Sequence, residues 1–119
     1  MTTIVCRSVR LAAELSELTG PENTLMYPFS AGVDGEMMMD AWLTDTLRAN
    51  AIDLVVYEPR FFVDPARYRD ISPHTRFVVM ASPGEEQQTQ KALVCGACAV
   101  IDKPLVGRDV RGVLDLVSV

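Results

Sequence analysis

A single histidine, His74, and three cysteines, Cys6, Cys95 and Cys98, are a sparse supply for metal or thiol chemistry. One imidazole excludes His-pair zinc sites and acid–base relays that pass a proton between two rings. An odd cysteine count argues against a disulfide framework. No apolar run approaches the ~20 residues of a membrane-spanning helix, and the opening MTTIVCRSVR lacks a signal peptide's apolar stretch. A cytoplasmic chain with no membrane partner is the expectation. Excess positive charge is missing too: 11 basic residues stand against 16 acidic ones, for a formal charge of −5. Nucleic-acid affinity rests on clustered Lys and Arg. Here the densest basic pairs are only Arg7–Arg10, Arg67–Arg69 and Arg108–Arg111, so no nucleic-acid role is expected. Internal repeats, low-complexity tracts and linkers are absent as well.

What is present suits one globular unit over residues 1–119, with 49% apolar and 23% charged residues. Short apolar runs alternate with amphipathic stretches, the pattern of βα units around a parallel sheet. Thr3–Cys6 reads as a first strand. Leu11, Leu15 and Leu18 then recur at helical spacing until Gly20-Pro21 stops them. Thr24–Phe29 reads as a second strand, although Pro28 lies inside it. Asp34 suits the cap of a helix running through Met38, Trp42 and Leu47. Ile52–Tyr57 and Phe77–Met80 have the unbroken apolar character of strands buried on both faces. Between them Pro59, Pro65 and Pro73 leave room only for a short helix, Pro65–Asp70. Glu85–Val94 reads as a helix ending at Gly96, a residue suited to a left-handed cap. A fifth strand at Ala97–Ile101 and a helix at Val106–Val117 complete a (βα)5 order. That order predicts an α/β, doubly wound parallel sheet with strand order 2-1-3-4-5. Ligands of such sheets gather at the carboxyl ends of the strands. The residues there are Cys6-Arg7-Ser8, Glu58-Pro59, Ala81-Ser82 and Asp102-Lys103-Pro104.

Those positions carry a family likeness. Ile52-Asp53-Leu54-Val55-Val56-Tyr57-Glu58-Pro59 is similar to the third strand of response-regulator receiver domains, where a phosphate-accepting aspartate follows an apolar run. Phe77–Ser82 is similar to their fourth strand, and CGACAVIDKPL at Cys95–Leu105 resembles their A-G-A…K-P-F segment. The resemblance spans the whole chain and implies the flavodoxin-like receiver fold. It makes Lys103 the receiver lysine and implies a cis peptide bond before Pro104. It also exposes departures. The acidic pair that holds Mg²⁺ after the first strand is replaced by Cys6-Arg7 or Arg7-Ser8. Glu58 stands at the phosphoacceptor position, Ala81 at the Thr/Ser position with Ser82 one step late, and Val100 at the aromatic switch position.

The chemistry follows from those departures. Phosphoryl transfer to a carboxylate needs a divalent metal to offset like charge, and Mg²⁺ wants several hard oxygen ligands. A pocket of Arg7, Glu58 and Lys103 sets one carboxylate against two cations and can satisfy itself by charge-assisted hydrogen bonds. No metal, cofactor or catalytic residue is therefore expected. The resemblance implies an atypical receiver, a pseudo-receiver of a two-component phosphorelay, that signals by protein–protein contact. Its implied partners are a histidine kinase, an output domain or a second copy of the chain, met through the helix 4–strand 5–helix 5 face near Glu85–Gln88, Arg108 and Arg111. Ending where a receiver ends, the chain reads as free-standing or as cut from a larger regulator. Glu58 reads either as part of a stabilising cluster or as a lock on an activated-like geometry. Two other functions stay open: a phosphoryl-accepting regulator with a non-standard site, and a redox switch through Cys95 and Cys98. That C-x-x-C closes a helix rather than opening one, so it lacks the helix N-terminus that lowers a thiol pKa. Met37-Met38-Met39 reads as a helix start with core and surface methionines, and His74 as a loop residue.

Overall fold

The computed structural model describes residues 1–6, 9–26, 35–59, 63–81, 83–102 and 107–117. Five strands, β1 (Thr2–Val5), β2 (Thr24–Met26), β3 (Leu54–Tyr57), β4 (Arg76–Ala81) and β5 (Ala99–Asp102), form one sheet. Its order is β2-β1-β3-β4-β5, as the alternation of apolar runs predicts, and every neighbouring pair is parallel. The helices are α1 (Val9–Thr19), α2 (Gly35–Ala49), α3 (Pro65–Tyr68), α4 (Glu86–Cys95) and α5 (Gly107–Val117), with a 3-10 turn at Pro21–Asn23. None of the described helices is long and apolar enough to cross a membrane. The cap expected at Asp34 and the expected second-strand residues beyond Met26 lie outside the described residues.

The central strands supply the core because side chains leave alternate faces of a strand and both faces are covered. On one face Val5, Val55, Tyr57, Phe77 and Val79 pack with residues of α2, α3 and α4. On the other, Ile4, Leu54, Val56, Val78, Met80 and Ile101 pack with Ala12 and Leu15 of α1 and Val110 of α5. Leu11 and Leu18 flank Leu15 as the spacing predicts. Of the expected Met38–Trp42–Leu47 stripe in α2, Leu47 is buried and Trp42 packs against the core, while the side chain of Met38 lies outside those described. Met39, Leu43 and Leu47 are buried at i, i+4 and i+8, and Trp42 is only partly covered. The reason is rotational: i, i+4, i+8 stays within one apolar stripe facing the sheet, and Trp42 sits at its edge.

The helix expected at Pro65–Asp70 ends at Tyr68. Asp64 caps its start by accepting a hydrogen bond from the Ala66 amide at 3.1 Å. Tyr68 is buried, stacks on Phe77 with ring centroids 6.0 Å apart, and donates its hydroxyl to Asp40 of α2. Arg67 reaches the same carboxylate at 2.9 Å, so Asp40 ties α2 to α3.

The junction of α4 and β5 explains why the fifth strand begins later than Ala97. Gly96 takes φ of 124°, its amide donates to the Leu93 carbonyl at 3.2 Å, and the Ala97 amide donates to the Ala92 carbonyl at 3.0 Å. This Schellman pair uses Ala97 to close the helix. The ladder to β4 then starts with the Cys98 amide, which donates to the Phe77 carbonyl at 2.8 Å. A Cβ at Gly96 would lie 3.2 Å from the Pro65 Cβ. Gly96→Ala is therefore expected to destabilise the domain by roughly 1–2 kcal/mol from the left-handed backbone alone. The crowding against Pro65 adds to that, and urea denaturation at constant m-value checks it.

Candidate functional site

Of the strand-end positions singled out from the sequence, the described residues place Cys6, Glu58, Ala81 and Asp102 at the carboxyl edge of the sheet. The Glu58 amide donates to the Val5 carbonyl at 3.1 Å and carries the β1–β3 ladder one residue past Tyr57. This places Glu58 next to the end of β1, where Cys6 follows. Both are nearly sealed from water, Glu58 at 3% and Cys6 at 5% exposure, and both have interaction partners. Ala81 is the last residue of β4 and pairs with Asp102 of β5, whose side chain is exposed. Val100 pairs with Val79 and packs, partly buried, against the cluster beneath α2–α4. It has no ring to turn between buried and exposed positions. Arg7, Ser8, Ser82, Lys103 and Pro104 lie outside the described residues, and with them the expected Arg7–Glu58–Lys103 cluster and the cis bond.

Among the described residues, what stands at the ends of β1 and β3 does not fit Mg²⁺. A buried thiol at Cys6 is a soft donor where the ion wants hard oxygens, and Glu58 is the one carboxylate the ends of β1 and β3 present. Buried carboxylates are costly unless paired, so a 3%-exposed Glu58 with a partner is a structural commitment of the fold.

Beside Glu58 the sheet carries an aromatic group that sequence reading did not assemble. Tyr57, 1% exposed, meets Phe77 edge-on with centroids 6.5 Å apart. Its hydroxyl is buried with no hydrogen-bond partner among the described residues. Burial above all, then the nearby Cys95, Cys98 and Asp64, pushes its pKa well above the ordinary tyrosine range. Tyr68 is raised in the same direction by burial and then by its hydrogen bond to Asp40. Only the unbroken apolar run before Tyr57 hinted that its ring would lie inside.

The C-x-x-C straddles the α4–β5 turn. Cys95 is half-buried, Cys98 is exposed, and both are free thiols. The Cys98 thiol donates to the Phe77 carbonyl at 3.3 Å. The face expected to meet partners is open: Glu86, Gln87, Gln88, Arg108 and Arg111 are exposed, and Glu85 is partly covered. Sequence reading missed Val94, which is 86% exposed in the last turn of α4. It falls seven residues after Gln87, on the same helical face, and that spacing was the available signal.

This architecture has solved counterparts. Full-length FixJ from B. japonicum matches 98% of this chain and 57% of its own, with TM-score 0.73 and 16% identity. The fold is the receiver fold. The receiver domain of NtrX from Brucella abortus matches with TM-score 0.70 and 16% identity, over 98% of this chain and 97% of that one. A putative pilus assembly protein (cpaE) from Burkholderia thailandensis matches with TM-score 0.67 and 17% identity, over 98% and 96%. No family model matches the sequence, and no curated protein is significantly similar to it. At such identities the receiver fold is shared while the site residues are this chain's own.

Proposed function

We propose that this chain is an atypical receiver module in two-component-type signalling that works by protein–protein contact, without Mg²⁺-dependent aspartyl phosphorylation. It is a binding module rather than an enzyme. The observation that supports this reading best is the carboxyl edge of the sheet. A sealed Glu58 stands where receivers present a phosphoacceptor, and a sealed Cys6 stands where they begin their metal-binding acids. Glu58 reaches one methylene further than aspartate, toward the place of a phospho-aspartate's oxygens, and so keeps the edge in one fixed state. The contact face is α4–β5–α5, which carries exposed Gln87, Gln88 and Val94 on α4 and exposed Arg108 and Arg111 on α5. An exposed apolar side chain among polar ones suits the small, partly polar interfaces of transient signalling contacts.

Titration calorimetry with Mg²⁺ tests the metal half of this reading. No sub-millimolar site is expected, and a saturable sub-millimolar site abolished by Glu58→Gln overturns it. Val94→Asp tests the contact half. It should leave stability nearly unchanged, because the side chain is already in water, and weaken partner binding.

A further inference from the structure

At the opposite, amino-terminal edge of the sheet lies a cavity of about 180 Å³ that the phosphorylation chemistry of receivers does not involve. It opens where α3 ends, β4 begins and α4 turns into β5. Arg69 and Arg76 both line it, both are exposed, and neither guanidinium has an ion pair among the described residues. The carboxylate of Asp53, just before β3, is engaged by the Met1 ammonium at 2.7 Å. In a chain of net charge −5, two cations lining one cavity with no ion pair among the described residues are a local reversal of sign.

The other walls are apolar or already satisfied. Pro65, Pro73 and Phe77 supply ring and methylene surface. Ser72 and Thr75 also line the cavity, but they share a hydrogen bond and Thr75 donates onward to the Ile52 carbonyl at 2.7 Å. The cavity's available donors are thus the two guanidiniums. The α4 carboxyl terminus at Gly96 opposes an anion with roughly −0.5 charge at most. Its Ala92 and Leu93 carbonyls are already hydrogen-bonded, and two full positive charges outweigh it.

We propose that this cavity is a binding site for a phosphate monoester with an apolar body, its dianion held by Arg69 and Arg76 and its body set against Pro65, Pro73 and Phe77. Two guanidiniums match a doubly charged group, and their planar forks bind phosphate oxygens in pairs. The ester could be a free metabolite or a phosphorylated side chain of a protein, and the experiment separates the two.

Phenyl phosphate is titrated into ¹⁵N-labelled protein. Saturable shifts are expected at the amides of Thr75–Phe77 and Gly96–Cys98, and benzyl alcohol should produce none. Arg69→Gln and Arg76→Gln should each weaken binding about tenfold to a hundredfold, the loss of a charge-assisted hydrogen bond. Both side chains are exposed, so the variants should fold, and unchanged circular dichroism confirms that. Bound phenyl phosphate should also slow alkylation of Cys98, the exposed thiol on the cavity wall. A phosphotyrosine peptide that binds more tightly than phenyl phosphate identifies a protein source, and equal or weaker peptide binding identifies a small molecule. Absence of saturable shifts with either probe, or affinities indifferent to both arginines, overturns the proposal.

Discussion

Glu58→Ala should lower the unfolding free energy by about 3–5 kcal/mol, the usual consequence of removing one side of a buried charged contact. The premise is that Glu58 is 3% exposed and has a partner, which its removal leaves without that contact. Glu58→Gln should cost less, because the amide oxygen still accepts a hydrogen bond while the charge is gone. Chemical denaturation of both variants gives the order. If Glu58 also fixes the signalling geometry, Glu58→Gln weakens partner binding by more than its stability loss accounts for. A gain in stability from either variant contradicts a structural role. It would mark the carboxylate as a strained group kept for function.

Alkaline conditions should unfold the domain steeply, with Tyr57 and Tyr68 as the cause. Both pKa values are raised in the folded chain from the ordinary 10.0, chiefly by burial. The unfolded chain therefore releases these two protons first as pH rises. Below pH 10 the contribution to stability is complete, and above it the folded state binds more protons than the unfolded one, so stability falls. Each group contributes about 1.4 kcal/mol per pH unit in that window, roughly 2.7 for the pair. Tyrosinate absorbance should accordingly rise together with loss of ellipticity. Tyr57→Phe should halve the slope and leave stability at neutral pH unchanged or higher, because its buried hydroxyl has no hydrogen-bond partner among the described residues. Tyr68→Phe should instead cost about 1.5–3 kcal/mol at neutral pH, since its hydroxyl donates to the Asp40 carboxylate. Two tyrosines ionising at ordinary pH in the folded protein would contradict the whole picture.

The sheet was readable from the sequence because its central strands are buried on both faces. Ile52–Tyr57 and Phe77–Met80 announce themselves as apolar runs, and the segments between them dictate parallel crossovers. Boundaries were harder where hydrogen bonding rather than hydrophobicity decides them. Ala97 is as apolar as any strand residue, yet its amide closes α4. At the carboxyl edge, the identities of Cys6, Glu58 and Ala81 were evident from their places after apolar runs, as was the absence of a carboxylate pair. What pattern could not supply were tertiary meetings between distant residues. Asp40 joining Arg67 and Tyr68 is one case, and Arg69 and Arg76 sharing a cavity is another. Neither pair has a spacing that a helix or strand period would flag.

Intact-mass analysis after incubation with acetyl phosphate and excess Mg²⁺ addresses phosphorylation-independent signalling most directly. A receiver-like binding module with Glu58 sealed at the end of β3 keeps its unmodified mass, and its affinity for a partner is the same with and without the phosphodonor. A hydroxylamine-labile phosphoryl adduct on Glu58, absent in Glu58→Gln and accompanied by altered partner affinity, would show that the chain is a phosphoryl-accepting regulator instead.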